Sequence, residues 1–109
     1  MKKLILMRGL PWTGKSYRAK ELSESHDNAP IYSTDEFWYK IRKPHLPEEY
    51  SFNPLYLEYA HKWNQQRAFR DFEIGTPCVI IDNTNTTLRE MEAYINYACP
   101  QEYEIQIEE

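Results

Sequence analysis

The chain is poor in the features that would point to several common functions. It has two cysteines, Cys78 and Cys99, and neither sits at a metal-ligand spacing, so no thiolate metal centre is indicated and no disulfide is needed. Cys78 lies in an apolar run and reads as a buried, reduced thiol. No apolar run is long enough for a signal peptide or a membrane span, because Arg8 and Gly9 stop the N-terminal one. A cytoplasmic location without a membrane partner is therefore expected. Basic excess is also missing: 13 Lys and Arg against 17 Asp and Glu give a net charge of −4, which argues against a generally basic nucleic-acid-binding surface. A small local site for one nucleotide or a strand end stays open. Repeats, low-complexity tracts and linkers are absent, and 109 residues suit one domain, residues 1–109, with a modest core. Aromatic residues are plentiful at 15%, and so small a domain cannot bury all nine tyrosines and three tryptophans; some must line surfaces or clefts.

Strand and helix patterns alternate along the chain, which predicts an α/β architecture with a parallel sheet and helices on its faces. Residues 3–7 read as a first strand and 15–24 as a helix ended by the polar run Ser25-His26-Asp27-Asn28. Residues 31–33 form a short second strand, 36–42 a helical turn, and 43–53, with Pro44 and Pro47, an irregular loop. Asn53 suits an N-cap and Pro54 the first position of a long helix that Gly75 stops after Ile74. Residues 77–82 give a buried strand, and Thr87 with Glu90 a capping box for a helix ending near Cys99 and Pro100. Residues 103–107 alternate as a half-exposed final strand.

Between the first strand and first helix lies Gly9-Leu10-Pro11-Trp12-Thr13-Gly14-Lys15-Ser16, which fits the phosphate-binding pattern GxxxxGK[ST]. Its glycines let successive backbone N–H groups converge on a phosphate. Lys15 brings a mobile charge to β/γ oxygens, the Ser16 hydroxyl ligates Mg2+, and the helix beginning here, with Tyr17 in its first turn, aims its positive end at the same anion. The expected ligands are ATP or GTP and Mg2+. Asp82, ending the buried strand, is either a second Mg2+ holder or a cap for the next turn. Asn83 and Asn85 either orient phosphates and substrate or build turns. Asp35, at the carboxyl end of the second strand, is either the group that takes a proton from an attacking hydroxyl or the N-cap of the helical turn beginning at Glu36. On the long helix His61, Asn64, Arg67 and Asp71 share a face. It is either simply solvated or a cleft wall from which Arg67 meets a phosphate. The basic residues of 40–45 either contact an anionic substrate or serve solubility.

Taken together, Leu6-Met7-Arg8-Gly9-Leu10-Pro11, Gly14-Lys15-Ser16, Ser33-Thr34-Asp35-Glu36-Phe37, Tyr50-Ser51-Phe52-Asn53-Pro54, Ala60-His61-Lys62-Trp63-Asn64-Gln65 with Arg67, and Val79-Ile80-Ile81-Asp82-Asn83-Thr84-Asn85 with Glu90-Met91 follow one family's order. The chain resembles the polynucleotide-kinase-like P-loop kinases, including phage polynucleotide kinase and the kinase-like domain of an animal ubiquitin-ligase-binding protein. The resemblance implies a P-loop NTPase fold with a four-stranded parallel sheet ordered 2-3-1-4. It also implies that Asp35 is the catalytic aspartate that activates the acceptor hydroxyl.

Three departures from the family pattern matter. Trp12 stands where the family usually has glycine, and Trp38 where the polynucleotide branch has a substrate-binding arginine. The family's lid and its arginines would follow the fourth strand, whereas the last arginine here is Arg89. The expectation is therefore an ATP- and Mg2+-dependent phosphotransferase acting on a hydroxyl of a nucleic-acid end, nucleotide or small metabolite. The alternatives are a lidless nucleotide-binding interaction protein and a slow NTPase. Either the chain is a fragment, a second copy or a protein partner supplies the arginine, or the protein binds nucleotide without efficient turnover.

Overall fold

The computed structural model describes residues 2–9, 14–37, 57–83 and 88–109. Strands β1 (Lys2–Met7), β2 (Ile31–Tyr32), β3 (Cys78–Asp82) and β4 (Tyr103–Glu108) alternate with helices α1 (Lys15–Ser25), α2 (Leu57–Ile74) and α3 (Leu88–Ala98). Short 3₁₀ turns at Thr34–Glu36 and Cys99–Gln101 follow β2 and α3. The four strands form one parallel sheet in the order β2-β3-β1-β4, the order that the resemblance implies.

β1 and β3 read as continuous apolar runs because both their faces are covered. Alternate residues of the two strands serve opposite cores. Leu4, Leu6, Val79 and Ile81 face α2 and α3, meeting Ala68, Phe72, Met91, Tyr94 and Ala98. Ile5, Met7, Cys78 and Ile80 face α1, meeting Ala19 and Leu22. Much of the aromatic content fills the first of these layers. Phe69 stacks on Tyr97 with centroids 4.1 Å apart, and Phe72 meets Tyr103 edge-on at 5.0 Å. Tyr17 and Tyr59, in contrast, stand exposed. Cys78 is buried and Cys99 exposed, both unpaired, and burial pushes the Cys78 thiol up.

The ends of the elements have local causes. Gly75, at φ 79°, takes the left-handed conformation that a helix stop needs and that side chains with a Cβ resist. Asp27 and Asn28, at φ 58° and 59°, turn the chain from α1 towards β2, and short polar side chains tolerate that region best. β3 starts at Cys78 rather than Pro77, since Pro77 has no N–H to donate; its carbonyl accepts from Lys3 N–H at 2.8 Å. The proposed caps at Asn53 and Pro54, the loop 43–53 and the Thr87 half of the capping box lie outside the described residues. Among the described residues no helix is long and apolar enough to cross a membrane.

Candidate functional site

The parallel register sets Met7 of β1 beside Asp82 of β3, so both strands deliver their carboxyl ends at the mouth of the sequence motif. Gly9 follows β1, and Gly14, at φ 83°, is the N-cap of α1. Glycine has no side chain to occupy the first N–H groups of α1, and the helix has no acidic residue in its first turn. The positive end of a helix is where an anion is favoured. Tyr17, in the same turn, is exposed.

Across this mouth Lys15 Nζ donates to Asp82 Oδ1 at 2.6 Å, and Ser16 Oγ donates to Asp82 Oδ2 at 2.9 Å. The pair is nearly closed off from solvent, with side-chain exposures of 12% for Lys15 and 9% for Asp82. Both oxygens of Asp82 therefore point back into the phosphate-binding motif. A hydroxyl and a carboxylate within hydrogen-bonding reach of each other are hard oxygen donors of the kind Mg2+ takes when phosphates and waters complete its shell. Among the described residues no cluster of three or more His, Cys, Asp or Glu could hold a metal ion.

Asp35 sits just past β2, in the 3₁₀ turn Thr34–Glu36. The sequence left it as either a reacting carboxylate or the cap of a helical turn over 36–42, most of which lies outside the described residues; the cap of the 34–36 turn itself is Ser33. Ser33 Oγ accepts from Asp35 N–H at 3.3 Å while the Glu36 carboxylate accepts from Ser33 N–H at 3.1 Å. This reciprocal capping box went unnoticed in the sequence, although Ser33 and Glu36 have its spacing. Asp35 is exposed on the turn so formed.

The polar face of α2 is not a solvated one. Asn64 is fully buried, and its Nδ2 donates to the Tyr94 hydroxyl at 3.0 Å. The Arg67 guanidinium lies over the Tyr32 and Trp63 rings, 4.6 and 3.9 Å from their centroids. Its guanidinium donates to Glu36 Oε1 at 3.2 Å, to Asn64 Oδ1 at 2.6 Å and to the Ser33 carbonyl at 3.3 Å. Arg67 thus faces Glu36 and the turn that carries Asp35, where the sequence suggested a bound phosphate. The helical spacing identified the face correctly, but solvation was the wrong default because the β2–turn segment and α3 pack over it.

Asn83, which the sequence left as either a phosphate- and substrate-orienting group or a turn builder, bonds to two other segments. Its Oδ1 accepts from Thr34 N–H at 2.9 Å and its Nδ2 donates to Tyr94 at 3.4 Å, so its side chain joins the loops that leave β2 and β3. Burial pushes the Tyr94 phenol up, opposed by its hydrogen bonds to Asn64 and Asn83. Tyr94 was not singled out in the sequence; its only signal is its place on the inner stripe of α3 with Met91 and Ala98. Leu10, Pro11, Trp12 and Thr13 of the motif, Asn85, Trp38 and the basic residues of 40–45 lie outside the described residues.

Flanking the motif, Arg8 pairs with Glu109 at 3.2 Å and Arg18 with Glu108 at 3.0 Å. The hydrogen bond from Arg18 holds the Glu108 carboxyl below its usual range. These pairs tie the end of β4 to both sides of the phosphate loop.

Comparison with known proteins agrees with this geometry. The human NEDD4-binding protein 2 (Homo sapiens) is 39% identical over 102 residues, covering 94% of this chain and 5% of that protein. The chain therefore spans about a twentieth of that relative's length. Among solved structures, one from the Pnkp1/Rnl/Hen1 complex superposes with a TM-score of 0.74 at 24% identity, over 98% of this chain and 34% of that one. Another, from Chloroflexus aurantiacus J-10-fl and ascribed a kinase activity, gives a TM-score of 0.68 at 16% identity, over 97% and 57%. At such identities these two likenesses speak to the fold. The AAA_33 family model, described as an AAA domain, matches residues 4–109, and the chain belongs to that family as a P-loop kinase-like domain.

Proposed function

We propose that this chain is a phosphotransferase that binds ATP or GTP with Mg2+ and passes the γ-phosphoryl group to a hydroxyl. The acceptor would be a nucleic-acid end, a nucleotide or a small metabolite. The observation that carries this reading is the meeting of Lys15 and Ser16 on the two oxygens of Asp82, one strand away from the turn that bears Asp35. In this reading residues 9–17 wrap the phosphate tail, and Lys15 leaves Asp82 to engage it. Ser16 and Asp82 would hold the ion, which would supply neutralisation of phosphate charge. The acceptor oxygen forms its bond to the γ-phosphorus as the bond to the β–γ bridging oxygen breaks, releasing the nucleoside diphosphate. The acceptor proton passes to Asp35. Asn85 would contact substrate. Such a reaction asks for positioning and charge neutralisation more than covalent chemistry, and these residue types supply both.

The test is transfer of label from γ-labelled ATP to 5′-hydroxyl oligonucleotides, nucleosides and simple alcohols in the presence of Mg2+. Transfer that falls by a hundredfold or more in Asp35→Ala supports the reading; no transfer to any acceptor, or full transfer by Asp35→Ala, refutes it.

One observation favours a second reading, a nucleotide-binding interaction or regulatory protein with little turnover. Arg8 and Arg18, which flank the phosphate loop, are engaged by Glu109, just past β4, and by Glu108 at its end. On this reading ATP raises the melting temperature while phosphate release stays negligible. A copy of this chain or a partner protein that supplied an arginine would restore turnover, which adding that partner to the labelling assay would reveal.

A further inference from the structure

Six groups form a closed ring beneath the turn that carries Asp35. Starting at the Ser33 carbonyl, the ring runs to Arg67 Nη2, then to Asn64 Oδ1, with bonds of 3.3 and 2.6 Å. From Asn64 Nδ2 it continues to the Tyr94 hydroxyl at 3.0 Å, which also accepts from Asn83 Nδ2 at 3.4 Å. Asn83 Oδ1 then accepts from Thr34 N–H at 2.9 Å. The two ends are the carbonyl and the N–H of one peptide unit, Ser33–Thr34, immediately ahead of Asp35.

Buried polar groups are hydrogen-bonded as a matter of course, so the bonds alone prove nothing about function. The closure is what separates this arrangement from ordinary satisfaction. A peptide unit is planar, and its only easy motion is a swing about the line joining its two Cα atoms. Holding the carbonyl on one edge and the N–H on the other stops that swing, and with it the direction in which the chain enters Asp35. Past Asp35, the Glu36 carboxylate is held by Arg67 and by Ser33 N–H. Arg67 in turn packs its guanidinium over the Tyr32 and Trp63 rings.

The ring also spans three elements, β2's exit, β3's exit and the α2–α3 pair. Asn83 directly follows Asp82, so the same side chain that grips Thr34 rides on the residue that holds Lys15 and Ser16. We propose that Asn64, Arg67, Asn83 and Tyr94 are positioning residues that fix the Asp35 carboxylate relative to the Lys15–Ser16–Asp82 cluster for phosphoryl transfer. This rests on the reading of Asp35 as the group that accepts the hydroxyl proton. None of the four touches nucleotide or acceptor in this scheme; each acts through the backbone on either side of Asp35. Misplacement of a reacting group by about 1 Å is enough to lose on the order of a hundredfold in rate.

The full chain is tested with Tyr94→Phe and Asn83→Ala, each alone and combined with Asp35→Asn, using γ-labelled ATP, Mg2+ and a 5′-hydroxyl oligonucleotide. Tyr94→Phe keeps the ring in place and removes only the hydroxyl, so it guards against a simple failure to fold. Expected are a kcat lower by tenfold or more, a KM for ATP within twofold of the parent, and no further loss when either is added to Asp35→Asn. Amide hydrogen exchange supplies a readout free of catalysis: the Thr34 N–H exchanges at least tenfold faster in Asn83→Ala, while the Ile80 and Ile81 amides of β3 keep their protection. Unchanged kcat in both single variants, losses that multiply with Asp35→Asn, or an unmoved Thr34 amide overturns the proposal. Full transfer by Asp35→Asn strikes instead at the role given to Asp35. A parent chain that transfers no phosphate refutes the phosphotransfer reading, while the Thr34 amide still decides whether the ring holds the turn.

Discussion

Lys15 and Asp82, 67 residues apart in sequence, meet at 2.6 Å with hardly any exposure to solvent. Removing one member of a pair so enclosed leaves the other charge desolvated without its counter-charge. Lys15→Met should therefore lower the free energy of unfolding by about 3 kcal/mol, read as a drop in the urea midpoint. Adding Asp82→Leu should recover part of that loss, since the stranded carboxylate then disappears. An additive double variant would contradict the pairing.

Occupation of the same site should stabilise the fold. At a hundredfold excess over Kd, ATP with Mg2+ should add about 2.7 kcal/mol by mass action, visible as a rise of several degrees in the melting temperature. Lys15→Met and Ser16→Ala should blunt the rise, and leaving out Mg2+ should reduce it. A melting curve indifferent to nucleotide under every condition counts against the site.

Asn64 tests the buried face of α2. Asn64→Ala leaves the Tyr94 hydroxyl and the Arg67 guanidinium each short of a partner, at a cost of about 1–3 kcal/mol in stability. Exposed Glu58, in the first turn of the same helix, should tolerate alanine within about 0.5 kcal/mol. Chemical denaturation of the two variants separates a packed polar seam from a solvated face.

Alkaline titration should single out a subset of tyrosines. Desolvation and the hydrogen bond to Asp71 push the Tyr32 phenol up to about 12, and Tyr94 and Tyr103 are raised chiefly by burial. Tyr97 is raised chiefly by its hydrogen bond to Glu73. A phenol raised in the folded state adds stability that is complete below its ordinary value near 10 and is lost as pH climbs through the folded one. Stability should thus fall between about pH 10 and 12, with phenolate absorbance from these residues appearing late, together with unfolding. Early and fully reversible titration of every tyrosine would rule this out.

Gly75→Ala meets open space but is held at φ 79°, so backbone strain alone should cost about 1 kcal/mol; Gly75→Asn should cost less. Equal melting temperatures for the glycine and alanine forms would deny the left-handed stop.

Much of this was legible in the sequence because it depends on neighbours along the chain. A turn that needs glycine, a lysine and a hydroxyl at fixed offsets, and two apolar runs buried on both faces are local facts, and so are the bounds of α1, β3 and β4 to within a residue or so. The final helix was expected to end near Cys99 and Pro100, and α3 ends at Ala98 with a 3₁₀ turn beyond it. Where sequence reasoning divided, the structure supplied what local pattern lacks. The cap of the turn over 34–36 is Ser33 rather than Asp35, while most of the helical turn expected over 36–42 lies outside the described residues.

The sequence by itself determined the phosphate-binding motif, the alternation of strand and helix, and the candidate carboxylates Asp35 and Asp82, since periodicity and turn chemistry act over a few residues. Tertiary structure alone decided that α2's polar stripe faces inward, that Arg67 serves Glu36, and that Tyr94 links Asn64 to Asn83. Each of those contacts joins residues 11 to 34 positions apart, and only the packing of α2, α3 and the exits of β2 and β3 brings them within reach. A polar side chain on a helix shows the same spacing whether water or another helix covers it, which is why the pattern could name the face but not what lies against it.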